Sequence, residues 1–91
     1  MKEKDIETRI VNHVQEIGGI AYKFVSPERR SVPDRLIVLP GRSPFWIEVK
    51  TKTGVLSSGQ KREIKRLRDL QQTVYVVYSV EQGIAVVDIE R

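Results

Sequence analysis

The sequence predicts an α/β fold, a mixed β-sheet flanked by helices in the order α-β-β-β-α-β-β. Three observations lead to it. Ile6, Ile10, Val14 and Ile17 recur at spacings of four, four and three, the apolar stripe of an amphipathic helix. Two short apolar runs flank the turn-forming segment PGRSP at 40–44, as in a hairpin. A second helical segment separates that hairpin from the apolar run TVYVVYSV, and such a crossover usually makes a parallel, right-handed connection.

The elements follow in order. The first helix covers 3–17, and Gly18-Gly19 supplies a left-handed C-terminal cap and a break. IAYKFV at 20–25 is a strand, and SPERRS at 26–31 is a polar loop. RLIVL at 35–39 and FWIEVKT at 45–51 are the two strands of the hairpin. The second helix covers about 58–71, with Ser57 or Ser58 as its cap and Ile64, Leu67 and Leu70 as its apolar stripe. TVYVVYSV at 73–80 is nearly all apolar, which suits a strand covered on both faces. GIAVVDI at 83–89 reads as a last strand.

With 91 residues, one domain spanning 1–91 is expected. A domain this small has a modest core, compact or completed by a partner chain. The absence of cysteine excludes a disulfide scaffold, a thiolate zinc site and a cysteine nucleophile, and fits an intracellular setting. The charged, periodic N-terminus is not a secretory signal. Sixteen Lys and Arg against twelve Asp and Glu leave a net charge of +4, which is compatible with a polyanionic partner such as nucleic acid.

The hairpin holds an unexpected set of charges. Glu48 and Lys50 are two apart on one strand, so their side chains leave the same face. Pairing symmetric about Arg42 sets 34 opposite 50 and 36 opposite 48, which places Asp34 beside Lys50 and diagonal to Glu48. Two converging carboxylates need a cation between them, or one must keep its proton. An all-oxygen site of this kind suits Mg²⁺ or Mn²⁺, and Lys50 could stabilise a phosphoryl oxygen or position a water. The plainer alternative is a cross-strand ion-pair cluster on a solvated face.

Two polar residues lie on the apolar stripes of the helices. Glu7 falls near the centre of the first, where a buried carboxylate needs a cation or a donor unless it bends out to water. Gln60 projects among Ile64, Leu67 and Leu70, either to satisfy backbone groups at the helix start or to reach a site below. The other face of that helix carries Lys61, Arg62, Lys65, Arg66 and Arg68, a solvated charge run or a phosphate-binding face. Arg29 and Arg30, in the loop before Asp34, are candidate phosphate contacts, as is Lys52 beyond the third strand. His13 is read as structural, and no Gly-rich phosphate loop is present.

An acid in the first helix, a PD opening one strand, an E-x-K on the next and a Gln opening the following helix resemble the PD-(D/E)XK nuclease superfamily. The runs KFVSPERRSVPDRLIVLPG and WIEVKTKTGVLSSGQ are similar to the signature of its VRR-NUC family over essentially the whole chain. The resemblance implies a restriction-endonuclease-like fold. It also implies metal binding by Asp34, Glu48 and the backbone carbonyl of Val49, with Lys50 as the catalytic lysine. Glu7 would support the metal directly or through water, and Gln60 would stand beside the site; Arg29, Arg30, Lys52 and Lys61 remain the candidate DNA contacts read from their charge and place in the chain. Family members cleave DNA with Mg²⁺ or Mn²⁺. Short stand-alone members resemble Holliday-junction resolvases acting as homodimers in bacterial or phage settings, and the domain serves DNA repair in larger proteins. The sequence departs at Ser31 and Glu28, where the family usually has glycine. The expectation is therefore a metal-dependent, structure-specific DNA endonuclease. The rival is a non-catalytic basic nucleic-acid-binding module, whose binding would survive loss of Glu48.

Overall fold

The computed structural model describes all 91 residues. Helix α1 (Glu3–Glu16) leads into β1 (Ile20–Lys23), β2 (Arg35–Val38) and β3 (Phe45–Val49). Helix α2 (Ser58–Asp69) crosses to β4 (Val74–Val77), and α3 (Val80–Glu90) closes the chain. The four strands form one sheet in the order β1-β2-β3-β4. β1-β2 and β2-β3 pair antiparallel, and β3-β4 pair parallel, as a crossover through α2 requires. No helix is long and apolar enough to cross a membrane.

Strand alternation divides the side chains between two faces. Ile37, Phe45, Ile47, Val49 and Val77 point to one face, where Ile6, Ile10 and Val14 of α1 and Val80 and Val87 of α3 meet them in one core. Phe45, Ile37 and Ile47 are at most 1% exposed, and each contributes roughly 1.5–3 kcal/mol by leaving water. The opposite face carries Trp46, Glu48, Val74 and Val76, with α2 laid against β4. On that face β1 stays open, and Ile20 and Tyr22 are 50% and 53% exposed. His13 of α1 meets Asp88 of α3 at 2.8 Å, a structural contact as its sequence context implied.

Two expectations are corrected. The segment expected as a last strand at 83–89 is helical, so the observed order is α-β-β-β-α-β-α. Its β-branched residues suggest a strand, yet Ser79 caps the helix by accepting from the Gln82 amide at 3.1 Å. Val80, Gly83 and Val87 are the buried positions, at spacings of three and four. The tertiary packing against α1 outweighs the strand preference. The hairpin is also not symmetric about Arg42. Ile37 pairs with Phe45 and Arg35 with Ile47, so the ladder centres on Gly41, a turn residue with φ +70°. Continuing that register sets Asp34 directly opposite Glu48, a slip of two residues that keeps the same face.

Gly83 lets α3 lie close to α1. A Cβ built there would come within 2.3 Å of Ile10 Cδ1, with the Ile10 side chain itself buried in the core. Gly83→Ala is therefore expected to destabilise the protein by about 1–3 kcal/mol, because well-packed cores resist added volume. Urea denaturation measures it, and an unchanged midpoint would mean that the two helices pack less closely.

Candidate active site

The site begins with a proline. In the β2-β3 register, residue 33 lies opposite Val49, and Pro33 has no N–H to give the ladder. The Val49 N–H donates to Asp34 Oδ2 at 3.0 Å. In an extended strand a residue's N–H and C=O leave the same side, so the Val49 carbonyl is directed to the edge where the Asp34 carboxylate stands. Proline thus ends regular pairing and frees a carbonyl beside an acid, while the Asp34 carbonyl accepts from the Phe24 amide of the chain beside it.

Glu48 stands opposite that acid and is only 2% exposed. Burial is the largest cause that raises its pKa, from 4.5 to about 8. The Asp34 charge and a hydrogen bond from the protonated acid to Asp34 raise it further, while Lys50 pulls it down. The Lys50 Nζ lies 4.0 Å from Glu48 Oε2, and its side chain is 14% exposed. The arrangement combines two converging carboxylates, a free carbonyl and an adjacent ammonium at the edge of an otherwise apolar strand.

Gln60 unites the two roles considered for it. Its Oε1 accepts from the Ser57 N–H at 2.9 Å, while Ser57 Oγ accepts from the Gln60 N–H at 3.1 Å, a reciprocal cap at the start of α2. Its Nε2 donates to Glu48 Oε2 at 3.2 Å. The cap therefore orients the amide, and the amide holds the acid. Ser57 is a cap, as its position implied.

Glu7 is not brought to this cluster. Arg35 follows Asp34 in the strand and so points to the other face, under α1. There its Nε donates to Glu7 Oε2 at 2.5 Å and a terminal nitrogen donates to the Ala21 carbonyl. Glu3, one turn earlier in the helix, adds the smallest of the influences that raise the Glu48 pKa. Glu3 lies off the apolar stripe and is exposed. The expected nucleic-acid contacts Arg29, Arg30, Lys52 and Lys61 are all exposed.

The donor set fits a hard divalent cation. All its atoms are oxygens, and the acid pair repels itself in a buried setting that a cation would relieve. No group of three or more His, Cys, Asp or Glu side chains forms a cage, so carbonyl and water would complete the coordination.

No protein-family model matches the sequence. The chain is 46% identical over 79 residues to a protein described as "Putative nuclease p44" of Acyrthosiphon pisum secondary endosymbiont phage 1, spanning 87% of this chain and 85% of that one. It is also similar to a solved structure described as "VRR_NUC domain", with a TM-score of 0.88 and 27% identity, over 97% of this chain and 96% of that one.

The raised pKa has a consequence for stability. The native state holds the Glu48 proton up to about pH 8, whereas the unfolded chain releases it near 4.5, so stability falls as pH rises between these values. With EDTA present, Glu48→Gln is expected to flatten this fall and to be more stable than the parent at pH 8 by at least about 1 kcal/mol. Urea midpoints against pH measure both, and parallel profiles for the two proteins would contradict the assignment. Glu7→Gln is expected to weaken the Arg35 contact and cost roughly 1–3 kcal/mol, read from the same midpoints.

Proposed function

The chain belongs to the VRR-NUC family, and from that premise we propose that it is a Mg²⁺- or Mn²⁺-dependent, structure-specific DNA endonuclease of the Holliday-junction-resolving kind. The observation that carries the reading is the buried Glu48 held against Asp34 beside Lys50. A surface that only bound phosphate would gain nothing from converging carboxylates, and this counts against the non-catalytic module.

Asp34, Glu48 and the Val49 carbonyl would hold the cation, with Gln60 keeping the Glu48 carboxylate in place. Such a cation supplies Lewis acidity at a phosphate and lowers the pKa of water. Lys50 would face the scissile phosphate and neutralise charge that builds on its oxygens, from a half-buried position where its ammonium is poorly screened. Hydrolysis forms one bond from water oxygen to phosphorus as one phosphoester bond breaks, and the leaving oxygen takes a proton. Glu3, whose charge reaches Glu48, would be the helix acid that acts with this set, and Glu7 would serve as a structural partner of Arg35.

A homodimer is the assembly that would present two such sites to one branched DNA. Its support is the open apolar face of the edge strand β1, where Ile20, Tyr22 and Phe24 are 40–53% exposed on the side of the sheet that also bears the acids.

Purified protein is expected to cut a four-way junction with Mg²⁺ or Mn²⁺ and to be inert in EDTA. Asp34→Ala and Lys50→Ala are each expected to lower the rate at least ~10²-fold. Cleavage without metal, or full activity in either variant, would refute the mechanism. Cutting of a flap but not of the junction would leave a nuclease and remove the resolvase. In the same assay Glu3→Gln is expected to lose more than tenfold in rate and Glu7→Gln less than Glu3→Gln, and the reverse order would return the helix acid to Glu7.

A further inference from the structure

We propose that the cleft between loop 26–33 and α2 binds a nucleic-acid phosphate next to the one at the acid pair. The proposal rests on the nuclease reading for the identity of the strand. The cleft itself is a separate feature, about 260 Å³ in volume and lined without a single hydrophobic side chain. Arg29 and Arg30 enter it from the loop, and Arg62 and Arg66 enter it from α2.

Glu63 organises these groups. It is a helix carboxylate only 9% exposed, in a position where an unpaired charge would be costly. Arg29 Nε lies 3.4 Å from its Oε2, and Arg66 Nε lies 3.7 Å from its Oε1. One acid thus ties the loop to the helix and sets two guanidiniums side by side. The Arg29 contact is one long hydrogen bond and the Arg66 contact an ion pair beyond hydrogen-bond reach, whereas each arginine has five N–H groups to offer. Both side chains line the cleft and are about half exposed, which leaves donors free for a ligand.

A latch alone would need no more cations than neutralise Glu63. Four guanidiniums share the cleft with the carboxylates of Glu28 and Glu63, and neither Arg30 nor Arg62 has an ion-pair partner. Surplus like charge in one cleft is self-repelling, and an anion with several oxygens removes the repulsion.

The backbone shows the same convergence. Ser31 has φ +69°, a left-handed conformation costing roughly 1 kcal/mol or more in a residue with a side chain. That turn sets the Ser31 hydroxyl against Gly59, so closely that a Cβ on Gly59 would stand 2.8 Å from its oxygen. The hydroxyl adds a neutral donor to the cleft. Position supplies the ligand. Three residues after Ser31 comes Asp34, and three residues before Glu63 comes Gln60, so the cleft and the acid pair share both their supporting segments. A strand seated at the acids has a neighbouring phosphate to place here.

Two binding measurements in EDTA test this without cleavage. The first titrates inorganic phosphate into the ¹⁵N-labelled protein. The Ser31 and Gly59 amide signals are expected to shift saturably, and no shift would overturn the site. The second follows labelled DNA binding against salt by fluorescence anisotropy. Arg62→Ala is expected to weaken binding about threefold to tenfold and to lower the salt slope by about 1. Arg42→Ala, in the turn at the other end of the strands, is expected to change binding less than twofold. Equal effects of the two substitutions would overturn the proposal even if free phosphate binds. Because neither readout needs hydrolysis, a protein that fails to cut DNA yet passes both tests keeps the cleft and loses the nuclease reading.

Discussion

Glu48 is a carboxylate near the end of an inner strand, almost fully shielded from water and facing a second carboxylate across the ladder. Neither burial nor like charge favours that position, and the structure around it is organised to hold it there. Phe45, Ile47 and Val49 alternate with it and anchor β3 in the core on the other face. Pro33 ends the regular pairing and turns the Val49 amide to Asp34. The cap at the start of α2 fixes the amide that reaches Glu48. A proton shared with Asp34 is what the protein alone can supply to this pair, and a divalent cation is its proposed replacement.

Much of this was legible because strand parity is robust. Asp34, Glu48 and Lys50 belong to one face whether the ladder centres on Arg42 or on Gly41, since the two registers differ by an even step. The register itself was not legible. It depends on Ile37 meeting Phe45 in the core and on the positive φ of Gly41, which are tertiary and conformational facts. The mixed sheet and the role of Gln60 were legible for a similar reason, as a polar residue at a helix start has few partners to choose from.

Other parts were hidden by competing signals. The run from Ile84 to Ile89 is rich in β-branched residues, and its helical state comes from the Ser79 cap and the fit of Gly83 over Ile10. Glu7 drew notice by interrupting an apolar stripe, but the stripe faces Arg35 on the side of the sheet away from the acids. Glu3 gave no such signal, since exposed acids in a first helical turn are common. Leu70 was expected on the apolar stripe of α2 and is 64% exposed, whereas Glu63 is buried by the arginines that surround it. A charge run thus conceals a second ordered feature that hydrophobic periodicity cannot reveal.

A divalent cation binding at this pair would have to replace the proton held between Asp34 and Glu48. Calorimetric titration of Mn²⁺ at pH 7, repeated in two buffers of different ionisation enthalpy, measures binding and proton release together. One site per chain is expected, with the release of close to one proton per ion, since Glu48 is protonated below about pH 8. Glu48→Gln is expected to abolish the release. Mn²⁺ binding with no proton released, or no specific binding at all, would contradict that replacement.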